Sequence, residues 1–140
     1  MLLGCSAVVF DDDRRKVLLT RRTDNGRWCL PGGALDPGET VTESCIREVL
    51  EETGLDVEVV RLAGVYSDPH RLIEYADGHR FHLISLNFET RVVGGALRES
   101  EETSEFLWAS PEKLSEVDLM EHHVERVADA LEHDGPTVVR

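Results

Sequence analysis

Apolar and polar positions change period several times along the 140-residue chain. Residues 5–10 (CSAVVF) and 17–22 (VLLTRR) are short runs of β-forming residues separated by the charged stretch DDDRR, so they predict two strands joined as a hairpin. A Gly- and Pro-rich stretch follows, RWCLPGGALDPGE, and predicts a loop with a short extended piece at Trp28–Leu30. From Thr40 the period becomes helical. Thr40 and Glu43 have capping-box spacing, Cys45, Ile46, Val49, Leu50 and Thr53 recur on one face, and Gly54 stands at the exit. A helix over Val41–Thr53 is predicted. Strand-like runs come next at 56–66, 80–90 and 105–109, with a polar loop, SDPHRLIEYADGH, between the first two. Ser110-Pro111 reads as an N-cap followed by a first-turn proline, and Met120, Val124, Val127, Ala128 and Leu131 predict a second amphipathic helix. The closing GPTVVR reads as a frayed tail. Without a repeat or linker, the order of elements predicts one α+β domain over residues 1–140.

Composition narrows the function classes. The formal net charge of −13 opposes binding to duplex DNA or RNA, whose phosphates must be neutralised by Lys and Arg. Cys5, Cys29 and Cys45 have neither zinc-site nor disulfide-framework spacing, which suits a reducing compartment. The N-terminal stretch lacks the features of a secretory signal, and no apolar run reaches membrane-spanning length. The expectation is a cytoplasmic protein with no membrane partner. An acidic protein acting on an anionic substrate needs local positive charge, and a divalent metal supplies it.

The candidate chemistry lies on the first helix. Glu48, Glu51 and Glu52 share an arc of about 100°. Their like charges repel at i,i+3 and i,i+4 spacing, and the last helical turn disfavours anions. The cluster is therefore either a solvated face or a cation site. All-oxygen ligands suit Mg²⁺, with Mn²⁺ as a substitute. Arg47, four residues before Glu51, is placed to brace it.

Gly33, Glu39, Arg47, Glu48, Val49, Glu51, Glu52, Gly54 and Leu55 carry the complete spacing of the Nudix box. The chain therefore resembles the Nudix hydrolases, and the Pro-Gly-Gly entry and the Glu-x-x-Glu-x-x-Trp stretch at 102–108 agree. The resemblance implies an α/β/α sandwich with a central mixed sheet and a catalytic loop–helix–loop. It implies a Mg²⁺-dependent pyrophosphohydrolase that cuts the phosphoanhydride of a nucleoside diphosphate linked to another group. Glu48, Glu51 and Glu52 would hold Mg²⁺ together with the Gly32 carbonyl. Glu39 would support the loop, Arg47 would orient the carboxylates, and Glu48 would take the proton from the attacking water. Glu102 is a late metal ligand or an alternative base, or else part of a charged, solvated turn.

Substrate contacts are less determined. Arg21, Arg22 and Arg27 are either phosphate contacts or a basic strand end. Trp28 either stacks on a base or packs at the core rim. The loop from Ser67 to His82, with Arg71 and Tyr75, either selects substrate or is ordinary surface. His122 and His123 read as ordinary helix residues. Pro69 falls just short of the family position that accompanies ADP-ribose hydrolysis. The substrate stays open between ADP-ribose or NDP-sugar compounds and (d)NTPs, and a homodimer stays open too. The competing readings are a non-catalytic Nudix-like sensor of a nucleotide derivative and an acidic helical interaction module.

Overall fold

A computed structural model describes residues 1–132 and 135–140. Strand β1 (Leu2–Phe10) lies in the middle of a mixed sheet. The run Cys5–Phe10 is buried throughout, and a strand buried on both faces needs neighbours on both sides. One neighbour is β7 (Arg80–Gly95), parallel in a register running from Leu2 opposite Leu83 to Phe10 opposite Arg91. On the other side is β4 (Gly32–Ala34), antiparallel, with Ser6 opposite Gly32 and Cys5 opposite Gly33.

This arrangement corrects the predicted hairpin. The chain does turn after β1, where the Asp11 carboxylate accepts from the amides of Arg15 (2.8 Å) and Lys16 (2.9 Å). However, β1 and β2 (Val17–Arg22) meet only at Phe10 and Val17. Strand β2 then runs beside β8 (Thr103–Ala109) and the short β3 (Trp28–Cys29). Strand β5 (Leu55–Tyr66) pairs antiparallel with β7 through several bulges.

Helix α1 is Val41–Thr53, with the boundaries the sequence predicts. Thr40 accepts from the Glu43 amide while Glu43 accepts from the Thr40 amide, and Gly54 leaves the helix at φ 81°. Helix α2 is Glu121–Glu132. Alternation along β1 sends side chains to both helices. Ala7 and Val9 pack with Cys45 and Val49 of α1, while Val8 and Phe10 pack with Val127 and Ala130 of α2. The result is the expected α+β sandwich with a helix on each face of a mixed sheet.

Three other expectations are corrected. Ser110 and Pro111 stand at the N-cap and first helical position as expected, but they open a separate short 3-10 helix (Pro111–Glu116) before α2, and the Ser110 side chain makes no capping bond. The polar loop contains a short strand, β6 (Leu72–Glu74), folded back on Arg80–His82. The tail is not frayed, because β9 (Val138–Val139) lies parallel to β5 and Arg140 makes a forked ion pair with buried Asp129. Among the described residues, no helix is long and apolar enough to cross a membrane.

Candidate active site

The box loop and helix close around Arg47. Its guanidinium forks onto Glu39 at 2.7 and 2.9 Å, donates to Glu48 at 3.0 Å and to Glu51 at 3.2 Å, and reaches the Ala34 carbonyl at 3.3 Å. Beside that guanidinium, the Glu39 carboxyl is held down at about 2. Replacing Arg47 with Gln would free three carboxylates from one clamp. The expected outcome is a 10- to 100-fold loss of metal-dependent turnover with a raised metal midpoint, read by metal titration of the rate. An unchanged midpoint and rate would show that the clamp does not orient the carboxylates.

Two glutamates face inward. Glu48 lies against Gly33, and burial raises its pKa. Glu52 accepts the Gly32 amide at 3.1 Å. Burial pushes its carboxyl up to about 8, and the charges of Glu48 and Glu102 add to the rise. Glu51 is exposed, with Arg47 as its partner. The fold also carries Glu102 to the helix, so that Glu51, Glu52, Glu101 and Glu102 line one recess of about 220 Å³. Among the described residues, no three acidic, His or Cys side chains converge on a single point. The donor chemistry nevertheless fits a divalent cation. Glu52 is desolvated beside two other carboxylates, a setting that a bound cation relieves by stabilising the ionised form.

A cavity of about 670 Å³ adjoins the box. Gly32, Glu52, Glu102, Arg22, Tyr75, Ser6, His123 and Arg126 are among the residues that line it. The remaining sequence candidates are distributed as follows. Arg22 forks onto Asp24 at the cavity margin. Arg21 donates to Glu105 and the Gly26 carbonyl and stands over the Trp28 ring. Arg27 pairs with Asp118 and Glu121, so its contacts face α2 rather than the box. Trp28 packs against the core on the α2 side, and its backbone bonds to Asp118 and Met120. Arg71 sits beside β6 with its Nε buried. Among the lining residues of this cavity are Tyr75 from the candidate loop but not Arg21, Arg27, Trp28 or Arg71.

His123 corrects the reading of an ordinary helix residue. Its Nδ1 accepts the Leu30 amide at 3.0 Å, and burial drives its pKa down to about 3. Arg126, five residues into α2 and 5% exposed, is the other residue that sequence reasoning missed. Its helical period placed it only on a face, and no local signal showed that this face closes a cavity. A pH test follows from His123. Between about 3 and the ordinary 6.5 the unfolded chain holds a proton that the native ring refuses. The stabilisation is therefore complete above about 6.5 and is lost as pH falls. Wild type should lose stability faster than His123→Gln between pH 6.5 and 4, by up to roughly 1.4 kcal/mol per pH unit. Equal slopes in chemical denaturation would show that the ring titrates normally.

Comparison with known proteins agrees with the geometry. The NUDIX domain family profile matches residues 2–131. A "MutT-like protein" of Streptomyces ambofaciens is 40% identical over 136 residues, covering 97% of this chain and 80% of that protein. An ADP-ribose pyrophosphatase of Methanocaldococcus jannaschii is 43% identical over 93 residues, covering 64% of this chain and 52% of that protein. Among solved structures, an ADP-ribose pyrophosphatase of Streptococcus suis superposes with a TM-score of 0.80 at 28% identity, covering 99% of this chain and 98% of that one. The chain belongs to the NUDIX domain family. It is an enzyme of the hydrolase class acting on phosphoanhydride bonds, and the family's hydrolases in general need a divalent metal.

Proposed function

We propose that this protein is a Mg²⁺-dependent pyrophosphohydrolase that cleaves the phosphoanhydride of a nucleoside diphosphate linked to another group. The substrate is either an ADP-ribose or NDP-sugar type compound or a (d)NTP. The observation carrying the proposal is the desolvated Glu52, which lines the large cavity with Glu102 and feels the charge of Glu48. Glu48, Glu51, Glu52 and the Gly32 carbonyl would hold the metal. When bound, Mg²⁺ neutralises phosphate charge and lowers the pKa of water.

The chain's own residues have separate tasks. Arg47 fixes the carboxylates of Glu39, Glu48 and Glu51 in one orientation. Burial raises the pKa of Glu48 above the ordinary carboxylate value, which suits a proton acceptor. Glu102, across the recess from the helix, is the alternative acceptor. Arg22 is the cationic side chain at the cavity margin beside Glu102 and is the candidate phosphate contact. Arg21, Arg27 and Trp28 contribute indirectly, through the β2–β3 turn that holds Arg22.

The test is a hydrolysis screen over ADP-ribose, NDP-sugars, dinucleoside polyphosphates, NADH and the (d)NTPs, with and without Mg²⁺, products being identified by mass. Mg²⁺-dependent release of a nucleoside monophosphate is expected. Binding without turnover for every compound would favour the sensor reading instead.

A further inference from the structure

One end of the large cavity is built from donors. Arg126 lines it from α2, is 95% buried by its 5% exposure, and its Nε has no hydrogen-bond partner among the described residues. A buried, unsatisfied donor costs about 1–3 kcal/mol, more when charged. Its Nη1 is occupied at 3.3 Å by Ser6 Oγ, which in turn donates to Asn87 Oδ1 at 2.8 Å. Asn87 closes the chain by donating to the Arg126 carbonyl at 3.2 Å. This network fixes the guanidinium in place, with Nε–H unpartnered and closed off, so that an incoming acceptor would meet the Nη atoms.

The charge is also unpaired. No carboxylate bonds to Arg126 among the described residues, and the guanidinium lies over the Tyr66 ring. Arg71, whose Nε is likewise buried and unpartnered, adds a second positive charge that acts on Arg126. Glu125, whose charge acts on both, is ion-paired with Arg140. A buried guanidinium with no carboxylate partner is unfavourable unless something brings it acceptors.

His123 adds a third donor. Because its Nδ1 accepts from Leu30, the proton of the neutral ring sits on Nε2. Leu2, Ile73, Tyr75 and Leu83 line the same cavity and offer apolar and aromatic walls to a flat ring. Arg126 and Glu52 reach the cavity from helices on opposite faces of the sheet, so the two ends meet different parts of a substrate.

We propose that Arg126 determines specificity by reading the acceptor-only O6/N7 edge of a guanine-type base. A guanidinium fork matches guanine O6 and N7, whereas the same edge of adenine carries an amino donor beside N7, and uracil offers a single carbonyl next to its N3–H donor. The inference rests on the proposed nucleotide substrate, but its test needs neither metal nor turnover.

The experiment measures calorimetric binding of GMP, UMP, AMP and CMP to the metal-free protein, with inorganic phosphate as a control. Wild type should bind GMP at least about ten-fold more tightly than AMP and UMP, the lower end of the discrimination expected from one good bidentate base contact. Arg126→Gln should erase that difference, and Arg126→Lys should keep part of it. Melting curves establish that each variant is folded, and Arg126→Lys serves if the Gln variant is not. Equal binding of the four nucleotides by wild type overturns the proposal. So does an Arg126→Gln effect that is equally large for inorganic phosphate, which would make the site an anion site. Base discrimination without hydrolysis in the Mg²⁺ screen would keep this inference and remove the catalytic reading. Hydrolysis without base discrimination would do the reverse.

Discussion

Glu52→Gln will lower Mg²⁺-dependent turnover by on the order of 10³-fold while leaving the metal-free protein as stable as wild type or more so. The two effects have one cause. The carboxylate is buried, and burial with the charges of Glu48 and Glu102 lifts its pKa to about 8. In the absence of metal it is a buried acid held protonated where the unfolded chain would ionise it, and a neutral amide of the same shape removes that cost. Gln keeps an oxygen that can still accept the Gly32 amide. With Mg²⁺ present, the same change removes a hard anionic ligand. Thermal melts should show that millimolar Mg²⁺ stabilises wild type and not the variant. Glu51→Gln should lose most activity too, but without the gain in metal-free stability, because Glu51 is exposed. Turnover near wild type in both variants would remove the metal assignment.

Gly33→Ala will cost roughly 100-fold in turnover with little change in melting temperature. A Cβ at this position would stand 2.5 Å from the Glu48 carboxylate, inside any permitted contact. The nearest atoms belong to the far end of a flexible side chain, so the helix and sheet need not move. Glu48 must move, and its 3.0 Å bond from Arg47 goes with it. Gly32→Ala differs in kind. Its Cβ would lie 2.1 Å from the Cys5 carbonyl, which belongs to backbone, and pairing of β4 with β1 would suffer. Side-by-side rates and melts separate the two. A fully active Gly33→Ala enzyme would show that the position of Glu48 is not critical.

The fold also bears on how much of the site was readable. The box spacing named the glutamates, and the helix that carries them had readable ends. Thr40, Glu43 and Gly54 act within a few residues of one another, so their hydrogen bonds and backbone angles are the same in any fold. Arg47 and Glu51 are one helical turn apart, and their contact is equally local. Glu102 was only one of several acidic residues on a loop. Its nearness to Glu51 and Glu52 depends on β8 lying beside β2, a pairing between segments about eighty residues apart.

By itself, the sequence determined the elements governed by short-range forces: the capped helix, the alternation of the strands, the acidic face and the family. The tertiary structure alone decided how far each strand pairs, so that β1 keeps only the Phe10–Val17 pairing with its neighbour β2 and takes β7 and β4 along the rest of its length. It also tied down the C-terminal strand, buried Arg126 and set half-buried His123 against the cavity. The physical reason is range. Capping and periodicity are satisfied within one or two turns of chain, whereas strand partners and cavity walls are chosen by burial of surface shared between distant segments, which no local pattern specifies.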